Sequence, residues 1–179
     1  MEILSGKYKR TPLLSPRSEL THPMGSRERL ALFNSLVGVL PGALVLDAFA
    51  GTGALGLEAL SLGASSVIFV EKSKLVAKTL SQNIKNTLKS EDLVKSTTKI
   101  IIKDVKSLNL DQKFDLILAD PPYDLYSEPL IAPLTPMLKS GAILALSLPK
   151  TAPTPLLDGL EAYRRKNYAA ASIALYRKI

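Results

Sequence analysis

The stretch that decides the fold reads Val45-Leu46-Asp47-Ala48-Phe49-Ala50-Gly51-Thr52-Gly53-Ala54-Leu55-Gly56. The apolar run at 43–46 predicts a β-strand that is buried on both faces. The three glycines form the pattern G-x-G-x-x-G, which allows a tight turn and lets a ligand approach the backbone. An apolar helix is predicted at 54–62. This order of strand, loop and helix is typical of the start of a nucleotide-binding βαβ unit.

A second strand follows at 66–70 and ends at Glu71. An acidic residue about 20 positions beyond the glycines is placed to accept hydrogen bonds from ribose hydroxyls, and we expect Glu71 to do so. The alternative is that the glycines serve only the close packing of a helix on a strand. The strand, loop, helix and terminal acid together favour a nucleoside-binding site.

Asp47 narrows the choice of cofactor. It lies at the end of the first strand, where a carboxylate that faces the loop would repel a pyrophosphate in a poorly solvated site. A cofactor with an amino group and hydroxyls but no phosphate would suit this position. S-adenosylmethionine meets that description.

The second decisive motif is Asp120-Pro121-Pro122-Tyr123, which follows an apolar strand at 114–119. The prolines fix the backbone and remove two N–H donors, so nearby carbonyl groups are free to accept hydrogen bonds. The tyrosine ring offers a face on which a base can stack. With the carboxylate, these residues predict a rigid slot for a flat, nitrogen-bearing substrate. The alternative is a Pro-Pro turn that closes the strand, with Tyr123 as a half-buried packing residue, which would give the same sequence pattern.

The composition limits the class of protein. The chain has 179 residues, a net charge of +7 and no cysteine. This length predicts one domain over 1–179, and the lack of cysteine removes disulfides and thiolate metal sites. We expect no metal, no membrane partner and a cytoplasmic location, since neither a membrane span nor a secretory signal is read. The charge favours nucleic acid as partner, and ordinary solubilising charge is the alternative.

Basic residues are concentrated near the N-terminus. Residues 1–25 lack a helical period and predict a hairpin or arm that faces RNA. A helix is predicted from Ser26, with Leu30, Phe33, Val37 and Leu40 on its apolar face. The candidate RNA-binding residues are Lys7, Lys9, Arg10, Arg17, Arg27 and Arg29. A second basic cluster near the C-terminus consists of Arg164, Arg165 and Lys166.

The remaining segments alternate between strands and helices. A helix is predicted at 73–89 and strands at 99–102, 141–146, 161–168 and 171–177, while prolines interrupt a helical segment at 126–138. Such alternation predicts a parallel sheet with helices on both faces, and the chain ends on a hairpin. Asp47, Glu71, Asp104 and Asp120 all fall at strand ends, so we expect them to converge on one crevice.

These motifs resemble those of class I S-adenosylmethionine-dependent methyltransferases. More narrowly, the chain resembles the RsmD family, which methylates the exocyclic N2 of a guanine in bacterial small-subunit (16S) ribosomal RNA. Besides the two motifs, the resemblance is carried by Gly6-Lys7-Tyr8-Lys9, Val70-Glu71-Lys72, Lys103-Asp104-Val105, Asn167-Tyr168 and Leu175-Tyr176-Arg177. It implies a Rossmann-like α/β fold with a mostly parallel seven-stranded sheet and a C-terminal antiparallel hairpin.

The resemblance also implies roles for individual residues. Asp120, Pro121, Pro122 and Tyr123 would form the catalytic slot, and 16S rRNA in a small subunit or an assembly intermediate would be the partner. The residues expected to bind S-adenosylmethionine are Asp47, Phe49, Gly51, Gly53, Glu71, Lys72, Asp104, Val105 and Asp120. Asp104 would accept from the adenine amino group, and its alternative role is to cap a helix.

Two departures from the family pattern concern the N-terminal part. His22-Pro23-Met24 stands where Arg-Pro-Thr is usual, and Leu30 stands where glutamate is common. Two other functions are open on the sequence alone. One is an amino-methyltransferase that acts on DNA adenine or cytosine or on protein glutamine, which would use the same slot. The other is an NAD(P) oxidoreductase or a non-catalytic nucleotide-binding protein with the same glycine loop.

Overall fold

A computed structural model describes residues 1–16, 24–169 and 171–179. Its strands are β1 (Leu44–Asp47), β2 (Ser66–Glu71), β3 (Thr98–Ile102), β4 (Phe114–Ala119), β5 (Leu138–Pro149), β6 (Leu160–Asn167) and β7 (Ala171–Lys178). They form one sheet in the order β3-β2-β1-β4-β5-β7-β6. The pairs among β1 to β5 are parallel, and β7 runs antiparallel to both β5 and β6. The predicted mostly parallel sheet with a C-terminal hairpin is confirmed.

The helices within these ranges are α1 (Ser26–Leu36), α2 (Ala54–Ser61), α3 (Lys74–Leu88), α4 (Glu91–Thr97) and α5 (Glu128–Ile131). The sequence did not predict α4. The chain turns at Lys89, which has a φ of 55°, and Ser90 then caps a new helix by accepting from the Leu93 N–H at 3.4 Å. Within the described residues, no helix has the length and apolar character needed to cross a membrane.

Two apolar layers cover the two faces of the sheet. Along β1, Val45 belongs to one buried cluster and Leu46 to the other, because successive side chains of a strand point to opposite faces. Residues of α1, α2 and α3 pack in the first cluster, and those of α5 and the following 3-10 turn (Ala132–Met137) pack in the second. Burial on both faces is why the central strands read as continuous apolar runs.

The buried face of α1 differs from the predicted one. Arg29, Leu32, Phe33 and Leu36 are its buried residues, a spacing of three, four and seven from Arg29. The predicted face was wrong at Leu30 and at Val37, which are 43% and 61% exposed. An apolar pattern could not reveal that an arginine belongs to the buried stripe.

The N-terminal segment folds back on itself and packs against the domain. The Ile3 N–H donates to the Thr11 carbonyl at 3.0 Å, and the Arg10 N–H donates to the Ile3 carbonyl at 2.8 Å. Ile3 and Leu13 are buried in the first cluster. Residues 1–13 are therefore a docked loop, whereas Arg17, His22 and Pro23 lie outside the described residues.

Candidate active site

The carboxyl ends of β1, β2 and β4 meet at one edge of the sheet. Asp47 lies beside Leu118 in the parallel register of β1 and β4. The Ala48 N–H donates to the Leu118 carbonyl, and the Ala50 N–H donates to the Val70 carbonyl, both at 2.9 Å. The glycine loop therefore begins next to the end of β4, where the Asp-Pro-Pro-Tyr segment starts.

The three glycines of the loop serve different purposes. Gly51 and Gly53 have positive φ values of 53° and 83°, which favour glycine. A Cβ on Gly53 would lie 2.5 Å from a methyl carbon of Leu80, and a Cβ on Gly56 would collide with the Phe69 ring. A Cβ on Gly51 would have its nearest neighbour 4.0 Å away. Gly56 thus permits close packing of α2 on β2, whereas Gly51 borders open space.

Asp47 holds the start of α2 and keeps one oxygen without a partner. Its Oδ2 accepts from the Gly56 N–H at 2.9 Å, while its buried Oδ1 has no hydrogen-bond partner among the residues that the structure describes. Burial raises the pKa of Asp47 to about 7, and the charges of Asp120 and Glu71 add to this shift. A buried, unpaired carboxylate oxygen is costly by itself, so this atom fits a donor group or a cation supplied by a ligand.

Glu71 fixes the glycine loop relative to α3. Its Oε2 accepts from the Gly51 N–H at 3.0 Å and its Oε1 from the Ser73 N–H at 2.8 Å. These bonds orient the carboxylate and use one lone pair on each oxygen. The remaining lone pairs leave Glu71 able to accept from ribose hydroxyls, as the sequence predicts.

The Asp-Pro-Pro-Tyr segment lies against β5. The Tyr123 hydroxyl is 2.8 Å from the Ser147 hydroxyl oxygen. Burial raises the pKa of Asp120 to about 6, while the Ser147 hydroxyl and the Met24 backbone amide act in the opposite direction. Sequence reasoning missed Ser147, whose only signal is that it is a buried polar residue at the end of an apolar strand.

The two prolines have different environments. Pro121 is buried, whereas Pro122 is exposed and its carbonyl accepts from the Leu125 N–H at 3.0 Å in a turn. The Tyr123 side chain is half-buried, and its hydroxyl is held by Ser147. The segment is therefore both the Pro-Pro turn of the alternative interpretation and a rigid support for Asp120 and Tyr123.

The residues predicted to surround the adenosine lie around the ends of β1, β2 and β3. Asp104 is exposed and accepts from the Lys106 N–H at 2.9 Å, so it caps a 3-10 turn, as its alternative role required. Val105 is buried, Phe49 is half-buried in the second apolar cluster, and the Lys72 side chain is exposed. Their contacts with a cofactor stay a prediction.

Arg29 is not an RNA-binding residue in this structure. Its guanidinium is 1% exposed, donates to the Glu2 carbonyl at 2.6 Å and has its Nε 3.7 Å from a carboxylate oxygen of Glu58. The same oxygen of Glu58 accepts from the Leu4 N–H at 2.9 Å. The prediction for Arg29 was wrong because its charge is neutralised inside the protein, where it joins α1, α2 and the N-terminal loop.

The other predicted RNA-binding residues are exposed where the structure describes them. Arg27 lies in the first turn of α1, and Lys7, Lys9 and Arg10 lie in the docked N-terminal loop. The Lys7 N–H donates to the Ser61 carbonyl at 2.8 Å, which places this loop at the far end of α2 from Gly53. Arg17 lies outside the described residues.

Asn83 is a further residue of the site that sequence reasoning missed. It is fully buried on α3, and its side-chain amide donates to the Thr52 carbonyl at 2.9 Å and the Leu14 carbonyl at 3.0 Å. Its Oδ1 accepts from the Leu14 N–H at 2.8 Å. Asn83 therefore connects the glycine loop to the N-terminal segment through hydrogen bonds.

Within the described residues, no group of three histidine, aspartate, glutamate or cysteine side chains is arranged to hold a metal ion.

Comparison with known proteins agrees with this arrangement. The family described as conserved hypothetical protein 95 matches residues 1–177. Ribosomal RNA small subunit methyltransferase D of Haemophilus influenzae is 29% identical over 99% of this chain and 93% of its own length. A putative methyltransferase of Escherichia coli has a structure that matches with a TM-score of 0.84 and 28% identity, over 99% of this chain and 97% of that chain. A putative methylase of Haemophilus influenzae matches with a TM-score of 0.79 and 29% identity, over 99% of this chain and 98% of that chain.

The match covers both the glycine loop and the Asp-Pro-Pro-Tyr segment, and it extends through the C-terminal hairpin. The fold and the two motifs therefore belong together in one known class of enzyme. The chain is a member of the RsmD family of ribosomal RNA methyltransferases, described as conserved hypothetical protein 95.

Proposed function

We propose that this protein transfers a methyl group from S-adenosylmethionine to the exocyclic N2 amino group of a guanine in 16S ribosomal RNA. The observation that carries the proposal is the position of the Asp120 carboxylate, which follows β4 and acts electrostatically on Asp47 at the glycine loop. A group that can hold an amine and a loop that can hold a nucleoside thus lie next to each other at one edge of the sheet. Family membership supports an RNA substrate.

The site has the charge and shape that this cofactor needs. S-adenosylmethionine would supply an electrophilic methyl group on a positively charged sulfur. Asp47 has a buried oxygen without a partner in the described part of the chain, which suits the cofactor's amino group, and a Cβ on Gly51 would meet no atom closer than 4.0 Å. Glu71, whose carboxylate is fixed by the N–H groups of Gly51 and Ser73, would accept from the ribose hydroxyls. A cofactor with a net positive charge would stabilise the ionised form of Asp47, whose burial otherwise raises its pKa.

Asp120 and Tyr123 would act on the target base. The lone pair of guanine N2 is delocalised into the ring, so the amine must be oriented before it can attack. The Asp120 carboxylate would accept a hydrogen bond from N2–H, and the Tyr123 ring would stack on the base. With S-adenosylmethionine held at Asp47, Glu71 and the glycine loop, N2 would accept the methyl group while the carbon–sulfur bond breaks and its electron pair returns to sulfur. The proton released from N2 passes to water or to Asp120, whose pKa of about 6 allows either.

The Ser147 hydroxyl would position this slot. It lies 2.8 Å from the Tyr123 hydroxyl and also stabilises the ionised form of Asp120. Ser147 is 2% exposed and lies in β5, so a side chain on a rigid strand would fix the positions of Asp120 and Tyr123. A fixed carboxylate and a fixed ring reduce the entropy that is lost when the base is oriented for attack.

A base must leave its stack to enter such a slot, which favours a looped or opened segment of RNA. Exposed Arg27, in the first turn of α1, is three residues after Met24, whose backbone amide interacts with Asp120. We include Arg27 among the RNA contacts, together with Lys7, Lys9 and Arg10 at a more distant position. The substrate would be a small ribosomal subunit or an assembly intermediate, in the cytoplasm.

The test separates chemistry from cofactor binding. Asp120→Ala should lower the rate of methyl transfer to undermethylated small ribosomal subunits by at least about 100-fold, because it removes the group that orients the amine. Its Kd for S-adenosylmethionine, measured by calorimetry, should stay within a few-fold of wild type. Asp124→Ala is the matched control, since Asp124 is exposed in the same loop. Methyl transfer near the wild-type rate in Asp120→Ala would exclude this slot as the catalytic site.

A further inference from the structure

A small groove, with room for about one water molecule, lies between α1 and the edge strand β6. Ala31 and Ser35 line it from α1, and Arg164, Lys166 and Tyr168 line it from the sheet. Arg164 and Lys166 are exposed, and among the described residues neither takes part in an ion pair. The Lys166 ammonium lies 5.6 Å from the centre of the Tyr168 ring. The groove thus combines two available cations with a half-buried aromatic ring.

Arg165, which lies between Arg164 and Lys166 on β6, has a structural role. Arg165 projects to the opposite side of β6, where it donates to the Thr154 hydroxyl at 3.0 Å, the Ala152 carbonyl at 2.8 Å and the Ser172 hydroxyl at 3.1 Å. These bonds fix the chain after β5 to the C-terminal hairpin. The alternation along β6 therefore separates a structural arginine from the two cations of the groove.

The groove starts beside the catalytic slot. Ser147, which contacts the Tyr123 hydroxyl, pairs with Ile173, and Ile173 pairs with Lys166. Lys166 is thus two strand spacings, or about 10 Å, from Ser147 across the sheet. Tyr168 lines the groove beside Ala31 and Ser35 of α1, and burial raises the pKa of its hydroxyl.

The cations of the N-terminal loop are further from this slot. That loop is bonded to Ser61, and α2 (Ala54–Ser61) separates it from the glycine loop by about 12 Å along the helix. Because α2 starts at the carboxyl edge of the sheet and runs back, Lys7, Lys9 and Arg10 lie towards the opposite edge. The cations of β6 lie on the slot's side of the sheet, as does Arg27 at the start of α1.

We infer that Arg164, Lys166 and Tyr168 hold the single-stranded RNA segment that adjoins the target nucleotide. The two cations would contact its phosphates, and the Tyr168 ring would stack on a flanking base. An extended strand of RNA would leave the slot and run over the protein surface that carries Arg164, Lys166 and Tyr168. This inference rests on the proposed function, and it assigns the substrate surface next to the reacting base.

The first test removes the two charges. Arg164→Gln/Lys166→Gln should weaken binding to undermethylated small subunits about tenfold and reduce the slope of log K against log salt by about 1.4, since each contact to a single strand contributes about 0.7. Lys95→Gln/Lys99→Gln is the matched control, because it removes the same charge from exposed positions at the opposite edge of the sheet. The control should keep the wild-type slope, and both variants should keep the wild-type Kd for S-adenosylmethionine.

The second test concerns the ring. Tyr168→Leu should raise KM for the subunit about fivefold or more with a wild-type thermal unfolding midpoint, whereas Tyr168→Phe should retain the wild-type KM because it keeps the stacking face. Equal salt slopes for the two double variants would overturn the inference and show that the β6 charges only aid solubility. A wild-type protein that does not methylate RNA would instead refute the proposed function, and the inference would fall with it.

Discussion

Replacing the buried carboxylate at the glycine loop should make the protein more stable and bind its cofactor less well. In Asp47→Asn, the side-chain oxygen can still accept from the Gly56 N–H, while the negative charge is lost. Burial raises the pKa of Asp47 from 3.8 to about 7, so the folded state retains this proton at pH values where the unfolded chain has released it. Wild-type stability therefore falls as pH rises from about 4 to about 7, and this fall should be absent from the variant.

The magnitude follows from the difference in pKa. Integrating the titrations between about pH 4.5 and pH 8 gives about 3 kcal/mol of pH-dependent destabilisation in the wild type relative to Asp47→Asn. For a chain of this size, that is about 6–12 °C in Tm. Loss of a charged hydrogen bond to the cofactor's amino group should cost about 1.5–3 kcal/mol, or about 10- to 150-fold in Kd.

The assay is urea unfolding at several pH values, followed by calorimetry with S-adenosylmethionine at pH 8. Asp111→Asn, at an exposed position before β4, is the control. It should change neither the pH dependence of the free energy of unfolding nor the Kd for S-adenosylmethionine. A stability difference between variant and wild type that does not change with pH would refute the assignment of Asp47 as a buried, uncompensated acid. An unchanged Kd would remove it from the cofactor site.

Three further results are expected. Gly56→Ala should destabilise the fold by about 1–3 kcal/mol in urea unfolding, because its Cβ would collide with a buried ring of β2, and an unchanged midpoint would contradict the packing role. Arg29→Met should cost about 3–5 kcal/mol by leaving Glu58 buried without its partner, and Glu58→Gln added to it should restore part of this loss. kcat/KM for RNA should fall as pH drops below about 6, where Asp120 becomes protonated, and a flat profile from pH 5 to pH 8 would argue against its role.

The sequence predicted the sheet well, and the positions of the acids at its strand ends, because both depend on local patterns. Buried parallel strands read as apolar runs, and an acid at the end of each run marks the carboxyl edge of the sheet. The positions of Asp47, Glu71 and Asp120 followed directly from this. The prolines at 126–138 likewise indicated a broken helix, and the structure has a short α5 followed by a 3-10 turn.

The features that the sequence did not reveal depend on contacts between distant segments. Arg29 resembled any other exposed cation because its partner Glu58 is 29 residues away and on another helix. Asn83 lies in a polar stretch of α3, yet it joins residues 31 and 69 positions away. Ser147 is one polar residue in an apolar strand, and its contact with Tyr123 appears only when β4 and β5 are adjacent.

The measurement that tests the central claim most directly is nucleoside mapping after methyl transfer. Undermethylated small ribosomal subunits are incubated with labelled S-adenosylmethionine and either the wild-type protein or Asp120→Ala, and the RNA is then digested to nucleosides. We expect label in N2-methylguanosine at a single position with the wild type, and almost none with Asp120→Ala. Label on another atom or base, or equal labelling by the two proteins, would contradict the proposed chemistry of the slot.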